Sequence, residues 1–313
     1  MLGRTANDLF WMARYMERAE NMARLLEVGH RLSLLPHEQG GQHWRSTLQS
    51  AGCEAGYVAN HDTFETRVVV DYLLFDRNNP SSVYSCLATA RRNGRAQRTA
   101  ITREMWESLN GAWIEFSRKA VDEVPADALP ALFDWVRERS AMFRGAVLNT
   151  ILRNDTFYFT QLGTFLERAD NTARILDVKY YVLLPQNELV GGGVDSAQWA
   201  ALLRSVSAHR SFRWVYRDAF KPWHIADFLI LNPQMPRSLH SCYAEIAQAL
   251  SGLAQSYGKE TDCQVLAGSM LARLRMLNMP DIFQAGLHEF LTDFINDNGR
   301  LAREIGTVYH FNG

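Results

Sequence analysis

The segment Arg14–Val28 reads RYMERAENMARLLEV, and the segment Leu166–Val178 reads LERADNTARILDV. The second segment begins about 150 positions after the matching part of the first. No glycine or proline occurs from Leu9 to Val28, and the apolar residues recur at the spacing of one helical face. We therefore predict that each copy is an amphipathic α-helix. The apolar arc of the first copy comprises Trp11, Met12, Tyr15, Met16, Ala19, Met22, Ala23 and Leu26.

The similarity continues downstream of both copies. A Trp-Leu-Ser pattern, an apolar segment led by aspartate and a Pro-x-Ser segment each recur after 155 or 156 positions. The sequence therefore predicts two tandem helical repeats, residues 1–156 and 157–313, packed together as one compact unit about a pseudo-twofold axis. The recurring segments are 44–50 with 199–205, 71–74 with 227–230, and 80–86 with 236–242.

The fold class is predicted to be all-α. No stretch shows the sustained alternation of apolar and polar residues that is typical of strands. A polar residue within 5–8 is the expected N-cap of the first helix, and Ser82 and Ser238 are expected at later helix starts. Residues 154–155 are expected to break or kink the chain before the second copy begins.

Composition limits the classes of function. The 313 residues include 33 basic and 34 acidic ones, so no net field attracts nucleic acid or an anionic membrane. Four cysteines stand far apart without a Cys-x-x-Cys pair, which favours free thiols in a reducing compartment. The sequence does not open on a basic segment followed by an apolar run, and no apolar run is long enough to cross a bilayer. We expect a cytoplasmic protein that binds neither nucleic acid nor a membrane.

The repeated segment carries a polar face as well as an apolar one. Glu17, Asn21 and Arg24 are spaced i, i+4 and i+7, so they share one side of the predicted helix. Arginine binds carboxylates and phosphates through two parallel hydrogen bonds, which makes this face a candidate ligand site. An ion-pair network that sets the register of the helices is the alternative interpretation. The corresponding candidates in the second copy are Glu167, Asn171 and Arg174.

Arg18 and Arg168 are interpreted differently, because Arg18 falls inside the apolar arc of its helix. An unpaired buried charge costs roughly several kcal/mol, so a carboxylate must lie nearby. We predict that both arginines form structural ion pairs with the other copy. Ala19 and Ala23 are small residues one turn apart, which would let another helix approach closely.

An arginine stripe occurs in the first half only. Arg91, Arg95 and Arg98 lie at i, i+4 and i+7, and the corresponding positions of the second half hold alanine or serine. A stripe that one repeat lacks is not needed to build the repeat. It is therefore a candidate site for an anion or for docking of an acidic partner, and a solvated helix face is the alternative.

A second arginine cluster occurs in the second half. Arg213 and Arg217 alternate with the aromatic residues Phe212, Trp214 and Tyr216. Aromatic and basic residues mixed in this way occur in nucleic-acid sites, but the helical spacing and the neutral net charge favour core packing with a basic edge. The two arginines are therefore candidates for binding an anion or a partner.

No recognised catalytic or cofactor pattern is present in the sequence. Glu27 and His30 have the Glu-x-x-His spacing of di-iron bundles, but the second copy has Asp177 and Tyr180 in their place. A P-loop, a Gly-x-Ser-x-Gly elbow and a His-Glu-x-x-His pair are lacking. We therefore predict no metal and no cofactor, and a role other than catalysis is favoured.

The chain resembles the bacterial alpha-E family, an all-helical domain of unknown function with a Glu-Arg motif. The resemblance covers nearly all of the chain and is carried by residues 1–26, by Glu17-Arg18, by Glu167-Arg168 and by both Pro-x-Ser segments. Members of the family typically occur beside, or fused to, circularly permuted ATP-grasp ligases. Transglutaminase-like proteins, and sometimes a proteasome-like peptidase, accompany them. The resemblance therefore implies a role in ATP-dependent amide-bond formation, peptide tagging or peptide processing.

The leading expectation is an accessory or scaffold protein that presents a peptide or carboxylate to an ATP-grasp-type amide ligase. One alternative is an enzyme that uses Glu17 or Glu167 as acid or base and arginine as a carboxylate clamp. Another alternative is a purely structural helical protein, which includes a homo-oligomer. The enzyme alternative requires a concave pocket beside the Glu-Arg pairs, whereas the structural one requires these residues to be sealed in mutual pairs.

Overall fold

The computed structural model describes residues 1–34, 41–119, 124–182, 193–217 and 220–311, and the regular structure in these ranges is helical. The predicted all-α class is therefore confirmed. The α-helices are α1 (Gly3–Ser33), α2 (Gln42–Ser50), α3 (Glu54–Val58), α4 (Thr66–Leu74), α5 (Val83–Ala96), α6 (Arg103–Lys119), α7 (Leu129–Thr150), α8 (Asp155–Val182), α9 (Gly193–Ser205), α10 (His209–Tyr216), α11 (Pro222–Ile230), α12 (Leu239–Tyr257), α13 (Asp262–Met276), α14 (Met279–Ala285) and α15 (Leu287–Val308). Residues Ala126–Ala128 form a short 3-10 helix. Within the described ranges, every helix is too short or too polar to cross a membrane.

The two Glu-Arg segments lie on α1 and α8, two long helices of 31 and 28 residues. These helices pack against each other, α1 also packs against α5 and α7, and α8 also packs against α12 and α15. Between Met16 and Leu26 every residue except Arg18 is buried. Neighbouring helices cover the polar face of α1 as well as its apolar face. Glu17, Asn21 and Arg24 are therefore inside the protein.

A glycine permits the close approach of α1 and α8. A Cβ atom at Gly163 would lie 2.2 Å from the carbonyl oxygen of Phe10 and 3.1 Å from the Cβ atom of Ala13. Any side chain at this position would push the helices apart. The predicted small residues Ala19 and Ala23 are also fully buried, but Gly163 is not among the residues that the repeat singles out.

The connection between the halves is a short non-helical segment at which the chain reverses direction. α7 ends at Thr150 and α8 begins at Asp155, so residues 154–155 lie at the break. The predicted repeat boundary, between residues 156 and 157, falls in the first turn of α8. A single hydrophobic core contains buried side chains from both halves, including Phe10 and Phe228.

Two serines cap the helices that follow the Pro-x-Ser segments. The hydroxyl oxygens of Ser82 and Ser238 accept hydrogen bonds from backbone amides in the first turns of α5 and α12. This confirms their predicted place at helix starts. The predicted cap of α1 is wrong, because α1 begins at Gly3 and no side chain caps it. Asp8 instead accepts a hydrogen bond from the side-chain amide of Gln97, the C-cap residue of α5.

Candidate functional site

The two Glu-Arg pairs bind each other crosswise. Arg168 donates from Nε to Oε1 of Glu17 at 2.9 Å and from Nη2 to Oε2 at 3.0 Å. Arg18 donates in the same way to Glu167, at 2.6 and 3.0 Å. Two parallel bonds of this kind fix both distance and orientation. Each of the central helices therefore supplies one carboxylate and one guanidinium to its contact with the other.

More arginines converge on the pair formed by Glu17 and Arg168. Arg237, just before α12, lies 3.1 Å from Oε1 of Glu17 and donates to Oε1 of Glu20 at 2.6 Å. Arg144 of α7 donates to both carboxylates, at 3.2 Å for Glu17. Arg24 completes the set, and its Nη2 donates to Oε1 of Glu20 at 2.7 Å. We name the group of Glu17, Glu20, Asn21, Arg24, Arg144, Arg168 and Arg237 the arginine centre.

The arginine centre holds more positive than negative charge. Its four guanidinium groups face two carboxylates, and Glu17 and Glu20 are 1% and 0% exposed. Burial alone would raise the pKa of both carboxyls, but the surrounding arginines outweigh it and lower the pKa of each. Burial, with the cations Arg24 and Arg168 nearby, lowers the pKa of Arg237 to about 10. The centre is therefore short of negative charge.

The counterpart around Glu167 is simpler. Arg14 joins Arg18 there and donates from Nε to Oε2 of Glu167 at 2.9 Å. These two cations outweigh burial and lower the pKa of Glu167 to about 2. In the sequence repeat the position of Arg237 corresponds to Ser81, so this side has no equivalent of that arginine. The two halves of the Glu-Arg contact are therefore unequal in charge.

The predicted ligand-binding residues divide between the two sides. Oδ1 of Asn21 accepts from Arg237 at 3.2 Å, but its Nδ2 is buried without a hydrogen-bond partner among the described residues. Arg24 also reaches the end of α9, where its Nη1 donates to the carbonyl oxygen of Ser205 at 2.7 Å. On the other side Arg174 is paired with Asp170 of its own helix, at 2.6 Å.

Asn171 lies near these residues on α8. Its Oδ1 is buried without a hydrogen-bond partner among the described residues. Thus the first copy of the predicted triad is gathered into the arginine centre. In the second copy, Arg174 pairs within its own helix and Glu167 binds the arginines of α1.

The arginine clusters outside the repeated segment do not join the centre. The predicted stripe is wrong in part, because α5 ends at Ala96: Arg91 and Arg95 lie on this helix, whereas Arg98 follows it. Arg91 donates to Asn110 at 2.8 Å, Arg98 lies 5.0 Å from the ring of Trp106, and Arg95 is exposed. In the second-half cluster, Arg213 lies over the ring of Phe220 and Arg217 is exposed. The expected core role of the aromatics there is confirmed for Phe212, which is fully buried, and is wrong for Trp214, which is 84% exposed.

Sequence reasoning missed three members of the centre, Glu20, Arg144 and Arg237. Arg237 occupies a position where the repeat has a serine, and such a departure from the repeat is a usable signal. Arg144 follows Ser140 by one turn of α7, and its Nη1 donates to that hydroxyl at 2.9 Å. Nothing in the local sequence of α7 indicates that this arginine faces α1.

A small cavity of about 40 Å³ lies beside the centre, among α1, α2, α8 and α9. Its lining includes Leu25, His43 and Ser205, and the carbonyl oxygen of Ser205 is the one that Arg24 binds. A space of this size holds about one water molecule. Burial lowers the pKa of His43 to about 4, so this imidazole is neutral at pH 7. Within the described ranges no group of three or more histidine, cysteine or acidic side chains is arranged to hold a metal ion.

The fold and the centre together define an all-α protein in which two central helices are joined by crossed Glu-Arg pairs. The chain belongs to the Alpha-E family, described as a predicted alpha-helical domain with a conserved ER motif, whose model matches residues 1–310. The resemblance seen in the sequence is thereby confirmed. Comparisons with curated proteins and with solved structures give no match.

Proposed function

We propose that this protein is an accessory protein of an ATP-grasp-type amide ligase and that its arginine centre binds a carboxylate of the peptide to be modified. The family resemblance supports an ATP-grasp-type ligase as the partner, and the charge of the arginine centre supports a carboxylate as the ligand. A transglutaminase-like protein is the further partner that the same family context suggests. The four buried, free cysteines support a reducing cytoplasm as the compartment.

We also propose that the two halves are pseudo-twofold-related repeats, each built around one Glu-Arg helix. The crossed pairs support this, and so does a second pair of similar contacts. The hydroxyl of Ser140 donates to the carbonyl oxygen of Met16, and the amide of Asn298 donates to that of Leu166. Met16 and Leu166 are equivalent in the sequence repeat. A symmetric frame of this kind would allow one side of the contact to be adapted for binding while the other keeps the helices together.

The observation that carries the proposed function is the excess of arginine over carboxylate in the centre. Two buried carboxylates are shared by four guanidinium groups, and desolvated positive charge of this kind is stabilised by an added anion. A carboxylate suits the planar donors of arginine. The side chain of Arg144 is 26% exposed, so the centre meets solvent there.

The same charges disfavour the enzyme alternative. A general base must have a pKa near the working pH and must be free to accept the substrate's proton. The pKa values of Glu17 and Glu167 are lowered, and both carboxylates already accept two hydrogen bonds from the arginine of the other helix. These groups are therefore poor proton acceptors at pH 7. The purely structural alternative accounts for the crossed pairs but not for the additional arginines of the centre.

Binding is tested with a short peptide that has a free C-terminal carboxylate and with the same peptide as its C-terminal amide. Isothermal titration calorimetry should show binding of the acid and at least about tenfold weaker binding of the amide, because a bidentate arginine contact is lost. Arg144→Gln should weaken binding of the acid to a similar extent. The matched control is Arg95→Gln, an exposed arginine on α5, which should bind as the unmodified protein does.

The ligase partnership needs a separate experiment. The protein and a circularly permuted ATP-grasp ligase from the same genome are co-expressed, purified by a tag on either one, and assayed for ATP-dependent amide formation. A stable complex and faster amide formation are expected. If no complex forms and the ligase rate is unchanged without this protein, the accessory role is wrong. Equal affinity for the acid and amide peptides would refute the carboxylate site but would leave the accessory role standing.

A further inference from the structure

A groove is lined by α10, by Phe228 of α11 and by the chain that leads into α12. It is open to solvent and has a volume of about 390 Å³. Arg210, Trp214 and Val215 of α10 form one wall, and Phe228, Met235 and Pro236 contribute to the other. One wall therefore carries exposed charge, whereas the other combines the exposed Gln234 and Pro236 with the nearly buried side chains of Phe228 and Met235.

The side chains of α10 are unusual for a helix that merely covers a core. Only Phe212 is fully buried, whereas Trp214 is 84% exposed and Val215 is 45% exposed. Single exposed apolar residues are ordinary, but Trp214 and Val215 are adjacent and border a groove, and contiguous exposed apolar surface is typical of interaction sites. The energetic contribution of large aromatic side chains to binding is large when they become buried, and tryptophan is enriched in such anchors. The exposed indole is thus the first indication of a docking surface.

The charged residues of α10 and of its C-cap are all arginines, and a nearby carboxylate, Asp227 of α11, accepts a hydrogen bond from Tyr216. Arg204, Arg210, Arg213 and Arg217 lie on or next to α10, and all four are exposed. Among the described residues no carboxylate forms an ion pair with any of them. Burial lowers the pKa of His209, and the nearby charges of Arg204, Arg213 and Arg210 lower it further. The unbalanced charge indicates an occupant that is acidic.

The fold does not require these residues. In the register that aligns Trp44 with Trp199, the fully buried Phe212 corresponds to Tyr57, which is fully buried as well. The exposed residues differ, because the positions of Arg210, Arg213 and Trp214 correspond to Ala55, Val58 and Ala59. The half that has no arginine or tryptophan there still forms its helix, α3. Packing of the helix therefore does not account for the arginines and the exposed tryptophan of α10.

We propose that the α10 groove docks an acidic segment of a partner protein, with one large aromatic or aliphatic side chain of that segment inserted beside Trp214. The arginines on α10 bind its carboxylates, and the inserted side chain packs between Trp214 and the exposed Pro236, over the nearly buried Phe228 and Met235. Apolar side chains on both sides of the groove favour a peptide over a nucleic acid, because most hydrogen bonds to a nucleic acid go to its phosphates and sugars. The proposal does not depend on the ligase partnership or on the carboxylate site of the arginine centre.

The probe is a short fluorescein-labelled peptide of aspartate and glutamate with one central tryptophan, and binding is measured by fluorescence polarisation. The protein should bind it, and affinity should fall as salt is raised because the arginines are exposed. Trp214→Ser should weaken binding at least about tenfold, as expected for an aromatic anchor. The double variant Arg210→Glu with Arg213→Glu should abolish it. Circular dichroism should show that these surface variants keep the helical fold.

Matched controls come from equally exposed residues elsewhere. Met276→Ser removes an apolar side chain that is also 84% exposed, and Arg118→Glu reverses an exposed charge on α6. Both should bind the peptide as the unmodified protein does. If the α10 variants behave like these controls, the groove is not the site. If replacing the peptide's tryptophan by serine leaves affinity unchanged, or if a single-stranded oligonucleotide of equal charge binds more tightly, the proposed occupant is wrong.

A second copy of this chain is the remaining occupant to test. Sedimentation velocity over a range of protein concentrations should show no association that depends on Trp214. Self-association that Trp214→Ser abolishes would overturn the proposal, because the groove would then be an interface between copies.

Discussion

Arg168 of α8 and Glu17 of α1 form a bidentate ion pair that is almost fully enclosed, with side-chain exposures of 9% and 1%. The mirror pair, Arg18 with Glu167, is somewhat more open because the Arg18 side chain is 22% exposed. Buried pairs of this kind add specificity more reliably than stability, since desolvation opposes the attraction. The crossed arrangement permits one register of the two helices and penalises a shift by even one turn. It therefore determines how the other helices are placed around them.

Removing one carboxylate from the arginine centre should destabilise the fold strongly. In Glu17→Gln the buried arginines Arg168 and Arg237 lose a negative partner, and the centre becomes still more positive. The free energy of unfolding, measured by urea denaturation, should fall by about 3–5 kcal/mol. The matched control is Glu107→Gln, which breaks the exposed pair with Arg103 and should leave stability unchanged. Equal stability of the two variants would show that the centre does not hold the helices together.

A methyl group at Gly163 should lower the stability of the fold, whereas a methyl group at Gly145 should raise it. At Gly163 the added Cβ atom meets the backbone of α1 at Phe10, so Gly163→Ala should cost about 1–3 kcal/mol. At Gly145, inside α7, the added atom would meet nothing within 4 Å, and Gly145→Ala should stabilise by about 0.5–1 kcal/mol through lower backbone entropy of the unfolded chain. Thermal and urea unfolding of both variants measure these changes in the free energy of unfolding. Stabilisation by both substitutions would contradict the close contact between α1 and α8.

The two serine caps should differ in strength. Ser82 caps α5 through one hydrogen bond, and Ser82→Ala should cost about 1 kcal/mol. Ser238 caps α12 and also donates to the carbonyl oxygen of Asn232 at 2.6 Å, so Ser238→Ala should cost about 2 kcal/mol. Urea unfolding of both variants gives the comparison. The opposite order would show that the second hydrogen bond of Ser238 adds nothing.

Stability should decrease in acid because of the low carboxyl pKa values. The pKa of Glu167 is about 2 in the folded protein, against 4.5 as its ordinary value. Above pH 4.5 the carboxylate is ionised in both states, and its contribution to stability is fully present. As the pH falls from 4.5 towards 2, the unfolded chain takes up the proton first, so the free energy of unfolding declines.

The contribution of Glu167 is isolated by substitution. Glu167→Gln should be less stable at pH 7, and its free energy of unfolding should depend less on pH between 4.5 and 2. Glu107→Gln, at an exposed position, should keep the pH dependence of the unmodified protein. An unchanged pH profile of Glu167→Gln would show that this carboxyl is not held in its ionised form by Arg14 and Arg18.

Much of the architecture could be predicted because it depends on spacing along the chain. Apolar residues at helical intervals indicate α1 and α8, and the near-identical segments around Glu17 and Glu167 indicate that the helices are related. The need of Arg18 for a carboxylate follows from its place in the apolar arc. The partner that the structure shows, Glu167, lies on the other copy, at the place that the prediction names.

The composition of the candidate site could not be predicted in the same way. Arg237 is 217 positions from Glu20, and Arg144 is 124 positions from it, so no local pattern links them. Arg144 stands in an ordinary helical neighbourhood, and Arg237, in the turn before α12, is marked only by its departure from the repeat. The burial of Glu17, Asn21 and Arg24 is likewise hidden from the helical wheel, because a wheel shows which residues share a face but not which neighbour covers it.

The amino-acid sequence alone was therefore sufficient for the helical class and for locating the two Glu-Arg segments, since helix formation and periodicity are set by residues within a few turns of each other. The tertiary structure alone decided the charge of the arginine centre and the exposure of Trp214. Both result from contacts among α1, α7, α8, α10 and the chain before α12, which only packing brings together. Electrostatic interactions depend on distance in space and on burial, and neither quantity can be read from positions along the chain.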